Sequence, residues 1–315
     1  MAAEIRFYRE GDEEGIVRLF SGVFSRKMTI DEWRWKYKGQ ANARVYSAVI
    51  EDPASGIVGH YGGIPLRMLR NSEETTGVST CDVMIHPKFR SFVRLKKLHN
   101  FFTDNHVRNS IFMLYGFPTE HTLMIPADKL HLYERIEVVQ EGTKEAAFHG
   151  GSERFLYKLF PMDYSDPRID RLWEETKGRL KLAVIRDRAF LSWRYRDNPL
   201  FSYELWGLRK RWEQKLLALA VVKREGDGRM RIMDILHKEG MLSTLLKKIE
   251  NMAYSSGVKQ VLLWAPGQIR EALTKEGYTL VKTGTTLPRS THPLSIKKEE
   301  ILEGFYYSAG DTDYL

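Results

Sequence analysis

One stretch of the chain joins an apolar strand to a basic turn and a helix, CDVMIHPKFRSFVRLKKL. The pattern predicts a strand over residues 83–85 and a helix that begins near Phe92. The free N–H groups and the positive dipole end of such a helix can hold a phosphate, and Arg90 and Arg94 would add positive charge beside it. The stretch is therefore a candidate anion site, although an ordinary strand-to-helix connection has the same pattern.

Asp82 stands inside this apolar strand, where a carboxylate costs free energy unless it is paired or takes part in chemistry. It is the first candidate for a general base. A second carboxylate, Asp234, occupies the corresponding place in the strand MDIL of the second half of the chain. Because the carboxylate occurs in both halves, a structural pairing is favoured over a base.

Several other kinds of site are excluded by motifs that the sequence lacks. There is no HExxH, CxxC or clustered His and Asp spacing for a metal, no Walker loop and no GxSxG elbow. The single cysteine, Cys81, rules out an internal disulfide, and in a predicted strand its thiol is expected to pack. These patterns predict no bound metal.

The totals predict a protein of two domains. The chain has 315 residues, 43% of them hydrophobic. Its net charge of +8 and pI near 9.3 suit an anionic partner, such as a nucleotide cofactor, an RNA or an acidic surface. Acidic and basic residues interleave, which argues against nucleic acid as the partner. The longest apolar run, 216–222, is too short to cross a membrane, and with no signal peptide we expect the cytoplasm.

The elements that position these residues follow a definite order. In the first half, hydrophobic periodicity predicts a strand, two helices, three antiparallel strands, a helix, a strand, a helix and a strand. This is an α+β arrangement on one twisted sheet, and it accounts for about the first 150 residues. Trp33, Trp35 and Tyr37 lie on the second helix and are interpreted first as core and cleft wall.

The same order begins again near residue 151, and four landmarks recur at nearly one offset, about 150 residues apart. They are Trp35-Lys36-Tyr37 with Trp193-Arg194-Tyr195, Asp82 with Asp234, LKKLHNF from Leu95 with LKKIENM from Leu246, and Pro118 with Pro266. The sequence therefore predicts two copies of one domain, residues 1–150 and 151–315.

These residues resemble the GNAT superfamily of N-acetyltransferases, and the duplication resembles its tandem members. The resemblance covers most of the chain in element order and is sharpest over residues 5–133. It implies two GNAT-like acyl-CoA N-acyltransferase domains in tandem, each a mixed, mostly antiparallel twisted sheet flanked by helices. It also implies that the first copy binds acetyl-CoA, while the degenerate second copy is structural or shapes the acceptor cleft.

In this superfamily a strand pairs with the pantetheine arm of acetyl-CoA, and a turn of pattern Arg/Gln-x-x-Gly-x-Gly/Ala holds the pyrophosphate. Carried over residue by residue, the resemblance implies that the cofactor contacts Val83, Met84, Ile85, Arg90, Ser91, Phe92, Val93, Arg94 and Leu95. Arg90 matches the pattern. Val93 and Leu95 stand where small residues are usual, and a β-branched Val93 does not readily take a positive φ or allow close approach of a phosphate.

The resemblance also implies candidates for proton transfer. Members often place the acid at a tyrosine on the helix that follows the apolar strand, which here is Tyr133; a tyrosine that only packs is the alternative. Glu120, at a predicted helix start after Pro118, is expected to face the cleft and is the second candidate base, with ordinary helix capping as its alternative. Some members use a terminal carboxylate as base, but a frayed tail that closes the second sheet is favoured here.

The function implied is transfer of an acetyl or acyl group from acetyl-CoA to a small-molecule or peptide amine. A GNAT-fold binding module without activity is the first alternative, because of Val93 and Leu95. A Fem-like transferase that uses aminoacyl-tRNA is the second, although the coiled-coil arm of that family is absent from the sequence. Loops at 38–44 and 284–294 are expected to select the acceptor.

Overall fold

The computed structural model describes residues 3–24, 26–40, 44–107, 111–151, 153–292 and 296–312, which form two compact units. Unit 1 consists of Met1–Met68, Thr75–Glu137 and Thr285–Lys298, and unit 2 consists of Leu69–Glu74, Val138–Gly284 and Glu299–Leu315. These units follow compactness. The domain boundary at residue 150, which rests on the sequence repeat, stays a prediction.

The elements of the first half follow the predicted order. The helices are α1 (Glu13–Val23), α2 (Ile30–Lys38), α3 (Phe92–Phe102) and α4 (Glu120–Met124). The strands are β1 (Glu4–Phe7), β2 (Tyr46–Asp52), β3 (Gly56–Arg70), β4 (Glu73–Ile85), β5 (Met113–Tyr115) and β6 (Tyr133–Glu145). These helices and strands form because their apolar residues recur at helical and alternating spacing, as the sequence predicts.

The sheet of unit 1 is mixed. Strand β2 is antiparallel to both β1 and β3, and β3 is the neighbour of β4. Strand β5 is parallel to β4, and the register of this pair ends where Ser79 lies opposite Tyr115. Because β4 continues to Ile85 while β5 ends at Tyr115, the part of β4 that is paired with β5 ends at Ser79.

The second half repeats the order. Its helices are α5 (Glu153–Leu156), α6 (Arg168–Thr176), α7 (Arg188–Leu191), α8 (Leu242–Ser255), α9 (Gly267–Lys275) and α10 (Lys298–Gly304). Its strands are β7 (Tyr157–Pro161), β8 (Leu182–Val184), β9 (Glu204–Lys210), β10 (Ala218–Glu225), β11 (Arg229–His237), β12 (Gln260–Trp264), β13 (Thr279–Ser290) and β14 (Phe305–Tyr306). The sequence did not predict β8 or β14, because strands this short carry little periodicity.

The second-half sheet is also mixed. Strand β10 is antiparallel to β9 and β11, with a register shift between Val221 and Val222, and β7 is antiparallel to β9. Strand β12 is parallel to β11 and antiparallel to the later part of β6. The core of unit 2 lies between these strands and α8, whose Leu245, Leu246 and Ile249 are fully buried.

The aromatic residues of α2 belong to the core of unit 1. Trp33, Trp35 and Tyr37 are 0%, 8% and 2% exposed, which confirms that they pack. The rings of Trp33 and Tyr37 lie 5.1 Å apart and tilted. Side chains at positions i and i+2 of a helix point in different directions. All three are nevertheless buried, so α2 is covered by the protein on more than one face.

The C-terminal segment is tied to unit 2, so the prediction of a frayed end is wrong as far as Thr312. Strand β14 pairs with β8, as expected of a tail that closes the sheet. Arg186 Nη2 lies 2.5 Å from Asp311 Oδ2, and Arg194 donates to the carbonyl oxygens of Gly310 and Thr312 at 2.7 and 2.6 Å. Asp313 and the terminal carboxylate lie outside the described residues.

Candidate active site

The site begins on β4, just beyond the last residue that pairs with β5. After Ile85 the chain makes a 3₁₀ turn over Pro87–Phe89 and enters α3. Arg90 Nε donates to the carbonyl of Ile85 at 3.0 Å, and Arg94 Nη1 donates to the carbonyl of Phe89 at 2.9 Å. The two arginines therefore fix the backbone of the turn and also place their positive charge beside the first residues of α3.

Ser91 caps α3 through its hydroxyl oxygen, which accepts a hydrogen bond from the backbone N–H of Arg94 at 3.1 Å. The side chains of Phe92 and Val93 point outward, with 55% and 63% of their surface exposed. The first N–H groups of the helix thus lie at an accessible end of unit 1, where the dipole is positive.

Val93 and Leu95 lie within a regular helix, so the turn does not need glycine for its backbone. Among the described residues, the positive φ angles outside glycine belong to Asn71, Ser72, Asp82 and His131. Val93 therefore does not have to take a positive φ here. The space that the valine side chain occupies still bears on how closely a phosphate can approach the backbone.

Asp82 forms a buried ion pair. Its carboxylate lies 2.9 and 3.0 Å from Lys36 Nζ and accepts the hydroxyl of Tyr37 at 2.7 Å. The side chains of Lys36 and Asp82 are 1% and 5% exposed. Burial alone would raise the pKa of Asp82, but the charge of Lys36, the nearby His60 and these hydrogen bonds lower it overall. Such a paired carboxylate is a weak base, which favours the structural interpretation.

The second half contains the same tyrosine–aspartate contact. Tyr195 donates to Asp234 Oδ2 at 2.9 Å, and the cation beside Asp234 is Arg186, whose Nε lies 2.8 Å from Oδ1. The position equivalent to Lys36 is Arg194, which instead holds the tail. Tyr and Asp recur in both halves of the sequence, which was the available signal for this contact, but no pattern along the chain indicated that the two landmarks meet.

Glu120 is the more accessible of the two candidate bases. It is the first residue of α4, and Thr119 caps that helix, so the capping role belongs to its neighbour. One carboxylate oxygen accepts the hydroxyl of Thr286, and the other lies 3.3 Å from Arg135 Nε. Its side chain is 45% exposed. Glu120 therefore combines an anchored position with access to solvent.

Tyr133 is the first residue of strand β6, and the prediction that it lies on a helix is wrong. The helical turns after α4 end because His131 takes φ +53°, while the N–H of Leu132 donates to the carbonyl of Pro126 at 2.8 Å. A residue in the left-handed region ends a helix and redirects the chain. Tyr133 then enters the sheet immediately afterwards.

The hydroxyl of Tyr133 lies beside the end of the β4–β5 pairing. It contacts Thr80 Oγ1 at 3.2 Å, and Thr80 is the first residue of β4 beyond the last pair with β5. It is also hydrogen-bonded to the hydroxyl of Tyr61. Burial raises the pKa of Tyr133, and the hydrogen bonds to Thr80 and Tyr61 act in the opposite direction. The phenol is therefore protonated at neutral pH.

Tyr61 and His99 complete the cluster, and the sequence did not identify them. Tyr61 Oη lies 3.0 Å from His99 Nδ1, and both residues are 1% exposed. Burial lowers the pKa of His99 to about 4, which keeps the imidazole neutral. One sequence signal was available for His99. It lies beside Leu98 and three residues before Phe102, so helical spacing places it at the edge of the apolar face of α3.

The described residues contain neither a metal-ligand cluster nor a membrane-spanning helix. No group of three or more His, Cys, Asp or Glu side chains there could hold a metal ion. No helix in that part of the chain is long and apolar enough to cross a membrane.

No family model matches the sequence, and none of the curated proteins matches it. Solved structures do match. A probable N-acyltransferase from Enterococcus faecalis V583 is 10% identical with a TM-score of 0.71, over 92% of this chain and 72% of the other. A GCN5-related N-acetyltransferase from Anabaena variabilis is 12% identical with a TM-score of 0.64, over 91% and 72%. Saccharomyces cerevisiae N-myristoyltransferase with bound myristoyl-CoA is 9% identical with a TM-score of 0.61, over 91% and 82%. The chain therefore has the fold of GNAT-type N-acyltransferases over most of its length.

Proposed function

We propose that this chain transfers an acyl group from a CoA thioester to an amine. The observation that carries the proposal is the position of the Tyr133 hydroxyl. It contacts Thr80, the first residue of β4 beyond the part that pairs with β5. Acetyl-CoA is the first donor to test, and a small-molecule or peptide amine is the proposed acceptor. Myristoyl-CoA is bound to one of the similar structures, so longer thioesters belong in the same test.

The residues present fit a CoA thioester. The pairing of β4 with β5 ends at Ser79, so in the proposed complex an extended pantetheine arm pairs with the β4 backbone beyond that residue. The accessible N–H groups at the start of α3 suit a pyrophosphate. Lys88, Arg90 and Lys96 are exposed near this end of α3 and would add positive charge. Val83, Met84 and Ile85 form the strand, and Ser91 to Leu95 form the helix start, as the resemblance implied.

A CoA thioester supplies an acyl carbon that is activated toward amines. In the proposed roles, Glu120 accepts a proton from the amine as the nitrogen forms its bond to that carbon. Tyr133 donates its hydroxyl proton to sulfur, which takes the electron pair of the broken C–S bond. A tyrosine whose pKa is raised by burial is neutral at pH 7 and has a proton to give. Asp82 is not assigned a role in proton transfer.

Binding is tested first, by calorimetric titration with CoA and acetyl-CoA. Val93→Glu places a negative charge and a longer side chain beside the first N–H groups of α3, and we expect at least a tenfold loss of affinity. Val281→Glu is the matched control, because Val281 is an exposed valine of unit 2. Failure of the wild-type protein to bind CoA at high micromolar concentration would sink the proposal.

Chemistry is tested by thiol release from acetyl-CoA and longer thioesters over a panel of small amines and peptides. We expect Tyr133→Phe to lower kcat by about 10²–10⁴-fold, the range for loss of a general acid, with unchanged CoA affinity. Binding without product over the whole panel would support the alternative of a binding module that has lost activity.

A further inference from the structure

Four polar groups of unit 1 form a continuous hydrogen-bonded chain. His99 Nδ1 contacts the hydroxyl of Tyr61 at 3.0 Å, Tyr61 contacts the hydroxyl of Tyr133, and Tyr133 contacts Thr80 Oγ1 at 3.2 Å. The rings of His99 and Tyr133 also meet edge to face, with centroids 5.5 Å apart. A hydroxyl carries one proton, so the direction of donation at one link fixes the direction at the next.

The tautomer of His99 decides that direction. If Nδ1 carries the proton, it donates to Tyr61, Tyr61 donates to Tyr133, and the proton of Tyr133 is directed away from the histidine. If Nε2 carries the proton, Nδ1 accepts from Tyr61, and Tyr61 in turn accepts the proton of Tyr133. Only the first arrangement leaves Tyr133 a proton for a group beside Thr80.

The surroundings of His99 favour the first arrangement. Its Nε2 atom is buried and has no hydrogen-bond partner among the described residues. A buried N–H without an acceptor is rarer in proteins than a buried acceptor without a donor, so the proton is better placed on Nδ1. The low pKa of His99, which follows mainly from burial, keeps the ring neutral with one N–H. Asp104 and His292 are the charged and titratable groups that act on its pKa.

Burial raises the pKa of both tyrosines, so each hydroxyl keeps its proton at neutral pH and has one hydrogen bond to donate. Donation from Tyr61 also stabilises the negative charge that Tyr133 gains when it loses its proton.

We propose that His99 and Tyr61 are positioning residues that hold the hydroxyl of Tyr133 as a proton donor beside Thr80, where the pairing of β4 with β5 ends. The inference rests on the proposed acyl transfer. In that reaction the Tyr133 proton goes to the sulfur of the departing thiolate, the phenolate is stabilised by the hydroxyl of Tyr61, and His99 keeps its proton. Tyr133 regains its proton from solvent before the next turnover.

The tautomer is tested without any turnover. Nitrogen-15 and carbon-13 NMR of the full-length, histidine-labelled protein at pH 7 distinguishes the two forms, and the spectrum of His99→Asn assigns the signals. We expect His99 to carry its proton on Nδ1. A predominant Nε2–H form would overturn the inference, whether or not the protein transfers acyl groups.

The kinetic role is tested with Tyr61→Phe, which removes the hydroxyl and keeps the aromatic ring. The centroid of that ring lies 4.6 Å from the centroid of the Phe102 ring. We expect kcat to fall about 10–100-fold, the KM for the thioester to stay constant, and the basic limb of the pH–rate profile to move to higher pH. In a Tyr133→Phe background the same change should have no further effect on kcat. Additive losses would show a structural role only.

Two comparisons separate this role from general damage. His99→Asn retains an N–H donor near the place of Nδ1 and should keep more activity than His99→Leu. Tyr164→Phe removes another buried hydroxyl, which has no hydrogen-bond partner among the described residues, from unit 2 and should leave kcat unchanged. If the wild-type protein gives no product, the proposed function fails, while the NMR result still decides the direction of the hydrogen-bonded chain.

Discussion

Lys36 Nζ lies 2.9 Å from Asp82 Oδ1, and both side chains are almost completely buried although 46 residues separate them along the chain. The carboxylate also holds the hydroxyl of Tyr37, and its backbone takes φ +49°, which is unusual for a residue inside a strand. Two charges removed from water remain stable only while they stay paired. Asp82 therefore fixes α2 against β4, close to the site, with its carboxylate already paired.

Asp82→Asn should destabilise unit 1, because the substitution leaves Lys36 buried without its counter-charge. We expect a loss of about 3–5 kcal/mol in the free energy of unfolding, measured by urea denaturation. Asp197→Asn is the control, since Asp197 pairs with Arg196 with both side chains about half exposed, and it should cost about 0–1 kcal/mol. Normal stability with complete loss of product would instead identify Asp82 as the base.

Gly62 leaves the room that Tyr37 needs to reach Asp82. A Cβ atom at residue 62 would lie 2.2 Å from the Tyr37 hydroxyl oxygen. Gly62→Ala should therefore cost about 1–3 kcal/mol through overpacking, measured by urea denaturation. Gly22→Ala is the matched control, because Gly22 is exposed in α1 with open space around it, and it should stabilise the protein by about 0.5–1 kcal/mol. If the two substitutions change the free energy of unfolding equally, the Tyr37 hydroxyl does not lie as close to Gly62 as the structure has it.

His131 sets the turn that carries the chain into Tyr133. Its φ of +53° is costly for a residue with a Cβ, and its side chain is exposed, so the backbone decides the effect of substitution. His131→Val should destabilise by about 1–2 kcal/mol, whereas His131→Gly should be neutral or slightly stabilising. Thermal unfolding of the two variants checks this, and a valine that is tolerated as well as glycine would contradict it.

His99 should make stability depend on pH in the acidic range. Its pKa is lowered from 6.5 to about 4 by burial, so between these values the unfolded chain binds a proton that the folded chain does not. The free energy of unfolding should therefore fall as pH decreases from 6.5 to about 4. In His99→Asn, which has no imidazole, this part of the decrease should be missing. If the free energy of unfolding changes with pH in the same way in both proteins, the pKa of His99 is not lowered by burial.

Glu120→Gln tests the proposed base. The amide keeps the size of the side chain and can still accept from Thr286, but it cannot take a proton from the amine. We expect kcat for amine acylation to fall about 10²–10⁴-fold, with stability changed by less than about 1 kcal/mol because the side chain is 45% exposed. Unchanged turnover over the acidic limb of the pH–rate profile would remove Glu120 from the proposed mechanism.

Much of the fold could be predicted because its signals are local. The order from β1 to β6 follows from apolar residues at helical or alternating spacing, and the basic turn before α3 follows from Pro87 and Ser91. The paired appearance of Asp82 and Asp234 favoured a structural role, and both carboxylates lie in buried ion pairs. The placement of Tyr133 on a helix failed because the left-handed conformation of His131, which ends the helical turns two residues earlier, has no strong sequence signature in histidine.

By itself, the sequence determined the order of the elements, their recurrence in the second half, and the position of the turn between β4 and α3. Tertiary structure alone decided that Lys36 neutralises Asp82, that Val93 needs no glycine conformation, and that Tyr61 and His99 meet Tyr133. Periodicity reports which face of an element is buried, whereas a hydrogen bond between residues 72 positions apart depends on how the strands carry their side chains together in space.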